Sequence, residues 1–247
     1  SQYEAREIMA ADKNILKPGS GDATVTNKML DIVLGSFWAT KLVSSEIGAD
    51  KYFESPEAAI TALDHGVVSY RAPIKVMMPQ DTVKYGEFAG KMIDTTVGRI
   101  LFNQLLPDDV VYVNKPINKS VMNALIDDLV VLKGKDSIAP LIDSIKRFGF
   151  SFATKSGITW SISDTIIPET KYKVLTDSQV VAGKVQTAYE EGLLSEDEKH
   201  IKIVKLWQDT QSQIEKLIPV NFDSENPVAD IMASGARGSW GNINQMV

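Results

Sequence analysis

The strongest chemical signal in this sequence is a short run near its end, SGARGSWGN, at residues 234–242. One guanidinium, that of Arg237, stands among three glycines. Glycines let a backbone approach a ligand closely and expose its N–H groups, and a guanidinium presents a fork of donors that matches phosphate oxygens. The pattern suits contact of Arg237 with a triphosphate or a nucleic-acid backbone, and it equally suits a turn with a solvated arginine.

The residues that most enzymes use are absent or scattered. The sequence has no cysteine, which excludes thiol nucleophiles and cysteine-ligated metal sites. Its two histidines, His65 and His200, have no second imidazole or acid at ligand spacing, so we expect structural roles for both. The paired acids at 108–109 and 127–128 are adjacent in sequence, and adjacent residues on a helix do not face each other. The sequence therefore predicts no catalytic residue, no metal site and no cofactor in this chain.

Composition places the chain among ordinary globular proteins. Hydrophobic residues make up 44% and charged residues 23% of 247 residues, close to the average for soluble domains. The formal net charge of -6 argues against a chain that binds polyanions over its whole surface, although a local basic patch is compatible with it. The apolar runs are far shorter than the roughly 18 residues that a bilayer-spanning helix needs. We expect a cytoplasmic protein without membrane contact.

The first half of the chain gives three predictions of secondary structure. Residues 29–43 are strongly apolar and predict a buried element. In the next stretch Ser55 suits the N-cap of a helix and Gly66 suits the residue past its end. Residues 67–79 then predict a strand, in which Pro73 argues for an edge or a break.

Two further helices are predicted by the spacing of apolar residues. The first ends at Gly134, and its apolar face consists of Val121, Leu125, Leu129 and Leu132. The second ends at Gly149, and its inward residues are Ile138, Leu141, Ile142 and Ile145. Residues 151–169 then predict loop and strand.

The stretch 176–218 predicts an antiparallel helical hairpin. Capping-box patterns occur at Thr176 with Gln179 and at Ser195 with Glu198. The second helix has a seam at alternating spacings of four and three: Ile203, Trp207, Thr210, Ile214 and Leu217. The turn at 190–198 carries five acids and no base. Acids are favourable at a helix start whatever their function, and a docking surface for a basic partner is the alternative.

Six features occur in an order that is typical of one protein family. EAREIM…NILKP near the start resembles EAR-x-LM…NIL-x-P, DIVLG at 31–35 resembles QD-x-VLG, and TTVGRILFNQLLP at 95–107 resembles TTxGRxxFNxxLP. SGITWSISDTIIPE at 156–169 resembles SGxSxxxxDxxIP, the capped hairpin lies at the place of the rim helices, and 226–246 resembles N-S-x-x-M-x-x-SGARGS-x-x-Q-x-x-Q. Together these features resemble the β′ subunit of bacterial DNA-directed RNA polymerase.

The resemblance implies a fold and a division into parts. We expect a helix-rich α+β chain, an elongated segment of several parts with a protruding antiparallel helical hairpin. Residues 1–170 would form the pore or secondary-channel domain, and residues 171–220 the rim-helix hairpin of the funnel. Residues 221–247 would form the SGARGS loop that leads to the bridge helix.

The resemblance also implies roles for side chains and partners. Arg237 matches the arginine that reaches the phosphates of the incoming nucleotide, and its supporting loop contains Ser234, Gly235, Gly238 and Ser239. The secondary channel would admit nucleoside triphosphates and release the 3′ end of backtracked RNA. Gre-type or DksA-type factors would dock on the rim through Glu190, Glu191, Glu196, Asp197, Glu198 and Lys202. The remaining partners would be the rest of β′, the β subunit and the other polymerase subunits, in the bacterial cytoplasm near the nucleoid.

The family's catalytic parts lie outside the matched motifs. Its aspartate loop NADFDGD, which holds Mg²⁺ in the complete polymerase, precedes the EAR segment, and its bridge helix and trigger loop follow SGARGS. The resemblance therefore implies an internal piece of β′ that is inactive alone. A guanosine tetraphosphate site is not expected, because Asp143 matches the family but Arg147 and Asp136 do not. The alternatives are a naturally split subunit and a stand-alone partner-binding hairpin module.

Overall fold

The structure, a computed structural model, describes residues 1–15, 30–134, 137–223 and 225–247. It divides into two compact units. The first unit comprises Ser1–Thr159 with Asp230–Gly238, and the second comprises Trp160–Ala229 with Ser239–Val247. Helices predominate and one small sheet lies in the first unit, so the predicted helix-rich α+β class is confirmed. The elongated shape and the protrusion of the hairpin stay predictions.

The helices are numbered in chain order over the described residues. In the first unit they are α1 (Gln2–Glu7), α2 (Leu30–Thr40), α3 (Pro56–Asp64), α4 (Thr82–Tyr85), α5 (Val97–Asn103), α6 (Lys119–Lys133) and α7 (Ala139–Ser156). Later helices are α8 (Thr170–Glu190), α9 (Glu196–Asn221), α10 (Pro227–Ser234) and α11 (Trp240–Met246). Short 3₁₀ turns occur at Ala11–Lys13, Gly86–Phe88 and Ile162–Asp164. The predicted start of α3 is confirmed, since the Ser55 hydroxyl accepts a hydrogen bond from the Ala58 amide.

The sheet has three short strands in the order β1 (Tyr52–Phe53), β2 (Ile74–Met77) and β3 (Met92–Thr95). β1 runs parallel to β2, and β3 runs antiparallel to it with Ile74 opposite Thr95. The strand predicted at 67–79 forms only at β2. It begins directly after Pro73, whose nitrogen has no hydrogen to donate to a ladder.

The core of the first unit depends on a close crossing of α2 and α7. A Cβ atom added to Gly35 would lie 1.9 Å from the carbonyl oxygen of Gly149, and one added to Gly149 would lie 2.5 Å from that of Ile32. The two backbones are therefore in direct contact. The predicted helix end at Gly149 is wrong, because α7 passes through this glycine and ends at Gly157, which has a φ of 55°. The loop and strand predicted at 151–169 are correspondingly wrong as far as Ser156.

Two buried polar side chains of the stretch at 95–107 form hydrogen bonds that connect separate segments of the first unit. Arg99 is 7% exposed; its Nε donates to the Thr40 carbonyl at 2.9 Å and its Nη1 to Asn114 Oδ1 at 3.0 Å. The Asn103 side chain donates to the Val113 carbonyl and accepts from the Val113 amide. Burial lowers the pKa of Arg99, so these acceptors offset the cost of placing a guanidinium in the interior.

In the second unit, α8 and α9 contact each other as an antiparallel pair. Ser178 and Thr210 share a buried hydrogen bond of 2.8 Å, and nearer the connecting turn Lys199 lies 4.3 Å from the ring centre of Tyr189. The first pairing connects the interiors of the two helices, and the second connects the end of α8 with the start of α9, as an antiparallel hairpin requires. Of the predicted seam, Thr210 is buried but Trp207 remains 38% exposed.

The two predicted caps of the hairpin have different outcomes. Ser195 and Glu198 form a capping box at the start of α9, as predicted. The cap predicted at Thr176 is wrong, because α8 already begins at Thr170. The Thr176 hydroxyl instead donates to the Tyr172 carbonyl within the helix.

Candidate functional site

The loop that follows α10 combines a buried anchor with an exposed arginine. The Ser234 side chain is fully buried; its hydroxyl donates to the Ile231 carbonyl at 2.8 Å and accepts from the Ala236 amide at 3.1 Å. Gly235 and Gly238 have φ values of 69° and 70°, a left-handed region that favours glycine. Ala236 is buried between them. This geometry turns the chain sharply and leaves Arg237 on the surface.

The Arg237 guanidinium makes one ion pair. Its Nη2 lies 2.9 Å from Asp31 Oδ1, and the two side chains are 64% and 47% exposed. Within the described residues Arg237 has no second acceptor, so its Nε and Nη1 groups remain available for a ligand. The arginine is therefore held at one nitrogen while most of its donors face solvent.

A second ion pair also connects the region of α2 with the segment that leads to Arg237. Lys41, just after the end of α2, pairs with Asp230 in α10, and both side chains are largely buried. Asp31 lies in the first turn of α2. The segment from Asp230 to Arg237 is thus attached to both ends of one helix.

An open cavity of about 410 Å³ borders the start of the loop. Its lining residues are Asn118, Lys119, Ser120, Asn123, Ala233, Ser234 and Gly235. This described set includes one cation, Lys119, and no carboxylate. The cavity also borders the first turn of α6, where free backbone N–H groups favour anions. Lys119 is thus the charged side chain that this lining offers to an anion.

The acids of the hairpin turn are exposed, and two of them have local partners. Exposed residues here are Glu190, Glu191, Glu196, Asp197, Glu198 and Lys202. The Glu198 carboxylate accepts from the Ser195 amide at 2.8 Å and from its hydroxyl at 2.9 Å, and these bonds hold the pKa of Glu198 below its ordinary value. Glu190 accepts a hydrogen bond from Gln186. Glu198 is therefore part of the cap and Glu190 is bonded within α8, while Glu191, Glu196 and Asp197 are exposed.

The remaining titratable residues named from the sequence do not assemble a site. His65 and His200 are both exposed. Asp143 pairs with Lys146, which lowers the pKa of Asp143, while Lys135 and Asp136 lie outside the described residues. Across the described ranges, no group of three or more His, Asp or Glu side chains is placed to hold a metal ion. The helices in those ranges include none that is long and apolar enough to cross a membrane.

Sequence reasoning missed the residues that surround Arg237. Asp31 stands alone as a carboxylate in the apolar run 29–43, and a charge in such a run is a signal that it meets a partner. Lys119 and Asn123 carry no comparable signal, because polar residues are ordinary near a helix start. Only folding brings them beside Ser234 and Gly235.

Comparison with known proteins identifies the family. The family described as RNA polymerase Rpb1, domain 3, matches residues 14–165. This chain therefore belongs to that family of RNA polymerase large-subunit domains. It is also similar to DNA-directed RNA polymerase subunit beta′ of Thermoanaerobacter sp. (strain X514), with 36% identity over 100% of this chain and 22% of that protein.

Other bacterial relatives give the same result. The beta′ subunits of Caldanaerobacter subterraneus and Acidothermus cellulolyticus are 35% and 33% identical over 100% of this chain. The chain spans 22% and 20% of their lengths, or about a fifth of the curated relatives that it matches. The resemblance to bacterial β′ that the six features indicate is confirmed.

Proposed function

We propose that this chain is an internal segment of a bacterial RNA polymerase β′ subunit and that Arg237 contacts the phosphates of the incoming nucleoside triphosphate. One observation carries the proposal. The guanidinium is exposed, anchored at a single nitrogen by Asp31, and has free donors for an anion. The neighbouring cavity adds the cation Lys119.

This role fits the chemistry of nucleotidyl transfer. Such reactions depend on positioning and on electrostatic stabilisation of the phosphates, with little covalent work for the protein. Arg237 would bind and orient the triphosphate through charge-assisted hydrogen bonds. By the resemblance to β′, the aspartate loop that precedes the EAR segment would hold the metal of the complete polymerase. The segment would then be inactive without that loop.

The larger setting is the secondary channel of the polymerase. We assign the first unit to its wall, where nucleotides enter and the 3′ end of backtracked RNA leaves. The rest of β′, the β subunit and the other polymerase subunits would be its permanent partners, in the bacterial cytoplasm near the nucleoid. Membership in the Rpb1 domain 3 family supports this assignment.

The test of this function is Arg237→Ala in the assembled polymerase. We expect the apparent KM for nucleotides to rise about tenfold, which is the size of a lost hydrogen bond to a charged group. The kcat should change little if the contact is equal in the ground and transition states. Arg237→Lys keeps the charge but loses the fork, so an intermediate KM is expected. Unchanged nucleotide kinetics in both variants would refute the phosphate contact.

A second function is supported by the exposed acids of the hairpin turn. Glu191, Glu196 and Asp197 have no salt bridge within the described residues. They lie exposed and close together in sequence at the turn between α8 and α9. We propose that this surface docks a basic protein, such as a Gre-type or DksA-type factor. The same surface would serve if the chain were a split subunit or a stand-alone hairpin module.

Neutral substitutions test this docking surface without adding positive charge at a helix start. We expect Glu196→Gln with Asp197→Asn to weaken binding of a Gre-type factor to the assembled polymerase at low salt, where exposed charges interact over longer distances. Binding of the parent should weaken more steeply with salt than binding of the variant. Glu57→Gln with Asp64→Asn is the matched control, because both acids are exposed and lie in α3, outside the hairpin. Equal affinities of parent and double variant at low salt would overturn the docking role.

A further inference from the structure

We infer that Asp31 is a positioning residue that holds the Arg237 guanidinium in the orientation that phosphate binding requires. The inference rests on the proposed function of Arg237 and extends it to a residue of α2. The pair links two stretches that lie at opposite ends of the sequence, DIVLG at 31–35 and the loop at 234–238.

The geometry holds one nitrogen of the Arg237 guanidinium and leaves the other two available to a ligand. Asp31 Oδ1 lies 2.9 Å from Nη2 of Arg237. The Nε and Nη1 groups have no acceptor in the described part of the chain. A carboxylate on one nitrogen restricts the direction of the guanidinium, and the donors that remain can still bind phosphate oxygens. Asp31 therefore restrains Arg237 without filling its whole donor surface.

Asp31 stands on one of the most firmly packed elements of the first unit. The next two residues, Ile32 and Val33, are fully buried, and α2 touches the backbone of α7 at Gly35. The buried Lys41–Asp230 pair attaches α10 to the far end of α2. The backbone position of Asp31 is thus fixed by the core.

The loop fixes the backbone at Arg237 but leaves its side chain largely exposed. An arginine side chain has many rotamers to lose on binding. A partner that limits those rotamers in advance lowers the entropic cost of binding the ligand. Since the pair is half-exposed, the gain should be that of a surface ion pair.

A double-mutant cycle in the assembled polymerase tests this role. The variants are Asp31→Ala, Arg237→Ala and the double variant, and the readouts are KM and kcat for nucleotides. We expect Asp31→Ala to raise KM about twofold to fivefold with kcat unchanged. In the Arg237→Ala background the same substitution should have no further effect. Asp31→Asn keeps a side-chain oxygen as acceptor and should restore part of the KM.

Asp109→Ala is the matched control. Asp109 is also about half-exposed and pairs with Lys133 at 2.6 Å, and it should leave KM unchanged. The positioning role is wrong if Asp31→Ala leaves KM unchanged while Arg237→Ala raises it. It is also wrong if Asp31→Ala has the same effect in both backgrounds, which would indicate a disturbed start of α2. If Arg237→Ala itself has no effect on KM, the proposed function is overturned and the positioning role with it.

Discussion

The helices inside the first unit and those inside the second unit contact one another in different ways. In the first unit, α2 and α7 meet backbone to backbone at Gly35 and Gly149, and Arg99 is buried in a network of carbonyl and amide acceptors. In the second unit, the helices of the hairpin meet through side chains, including the Ser178–Thr210 hydrogen bond. Many apolar residues of α8 and α9 remain exposed, such as Val180 and Ile201.

The difference shows where substitutions are tolerated. A backbone contact has no room for even one added carbon, because protein interiors are close-packed. A side-chain contact on a half-exposed hairpin can adjust. The loop around Arg237 is attached to the first kind of structure, and the acidic turn between α8 and α9 belongs to the second. We therefore expect precise placement of Arg237 and tolerance to substitution around the hairpin turn.

The largest difference in stability between the two units should appear when one glycine in each unit is changed separately to alanine. We expect Gly35→Ala to lower the free energy of unfolding of the first unit by about 3 kcal/mol, because the new Cβ collides with the Gly149 carbonyl. Gly183→Ala in α8 has no atom within 4 Å of the new Cβ and should stabilise the second unit by about 1 kcal/mol. Hydrogen exchange resolved by peptide would report each unit separately. Equal effects at the two glycines would contradict the distinction between the units.

An intermediate effect is expected at the buried hydroxyl pair of the hairpin. Thr210→Val keeps the shape but leaves the Ser178 hydroxyl buried without its partner, at a cost of about 1–2 kcal/mol. Adding Ser178→Ala removes the unpaired hydroxyl and should recover part of this loss. Denaturant unfolding followed by helical circular dichroism measures both values. A double variant that is less stable than the sum of the single ones would show that the pair is not a simple hydrogen bond.

The smallest effect concerns the acid sensitivity of the hairpin turn. Bonds from Ser195 lower the pKa of Glu198, so the ionised carboxylate stabilises the start of α9. This stabilisation is fully present above the ordinary pKa of 4.5 and is lost as the pH falls through the lowered folded value. We expect Glu198→Gln to remove this dependence while its side-chain oxygen still caps the helix. Amide exchange at the start of α9 at about pH 6 and about pH 3 would detect it, and identical pH profiles would contradict the role of the cap.

Local patterns predicted much of this chain because they depend on neighbouring residues. Ser55 and Ser195 cap helices as their spacing indicates, since a cap is formed within a few residues. The family also followed from the order of motifs. The error at Gly149 occurred where a contact between distant residues decided the outcome. Gly149 resembles a helix end in sequence, yet α7 continues through it because the glycine is needed against α2.

In the candidate site, too, some features follow from the sequence and others only from the tertiary structure. The sequence by itself determined that Arg237 stands on a glycine-bordered loop, because glycine positions and a single guanidinium are local facts. Tertiary structure alone decided its partner and its surroundings. Asp31 reaches Arg237 across most of the length of the chain, and Lys119 reaches Gly235 across nearly half of it. No local pattern encodes such pairings, because packing of the core around α2 is what brings the two stretches together.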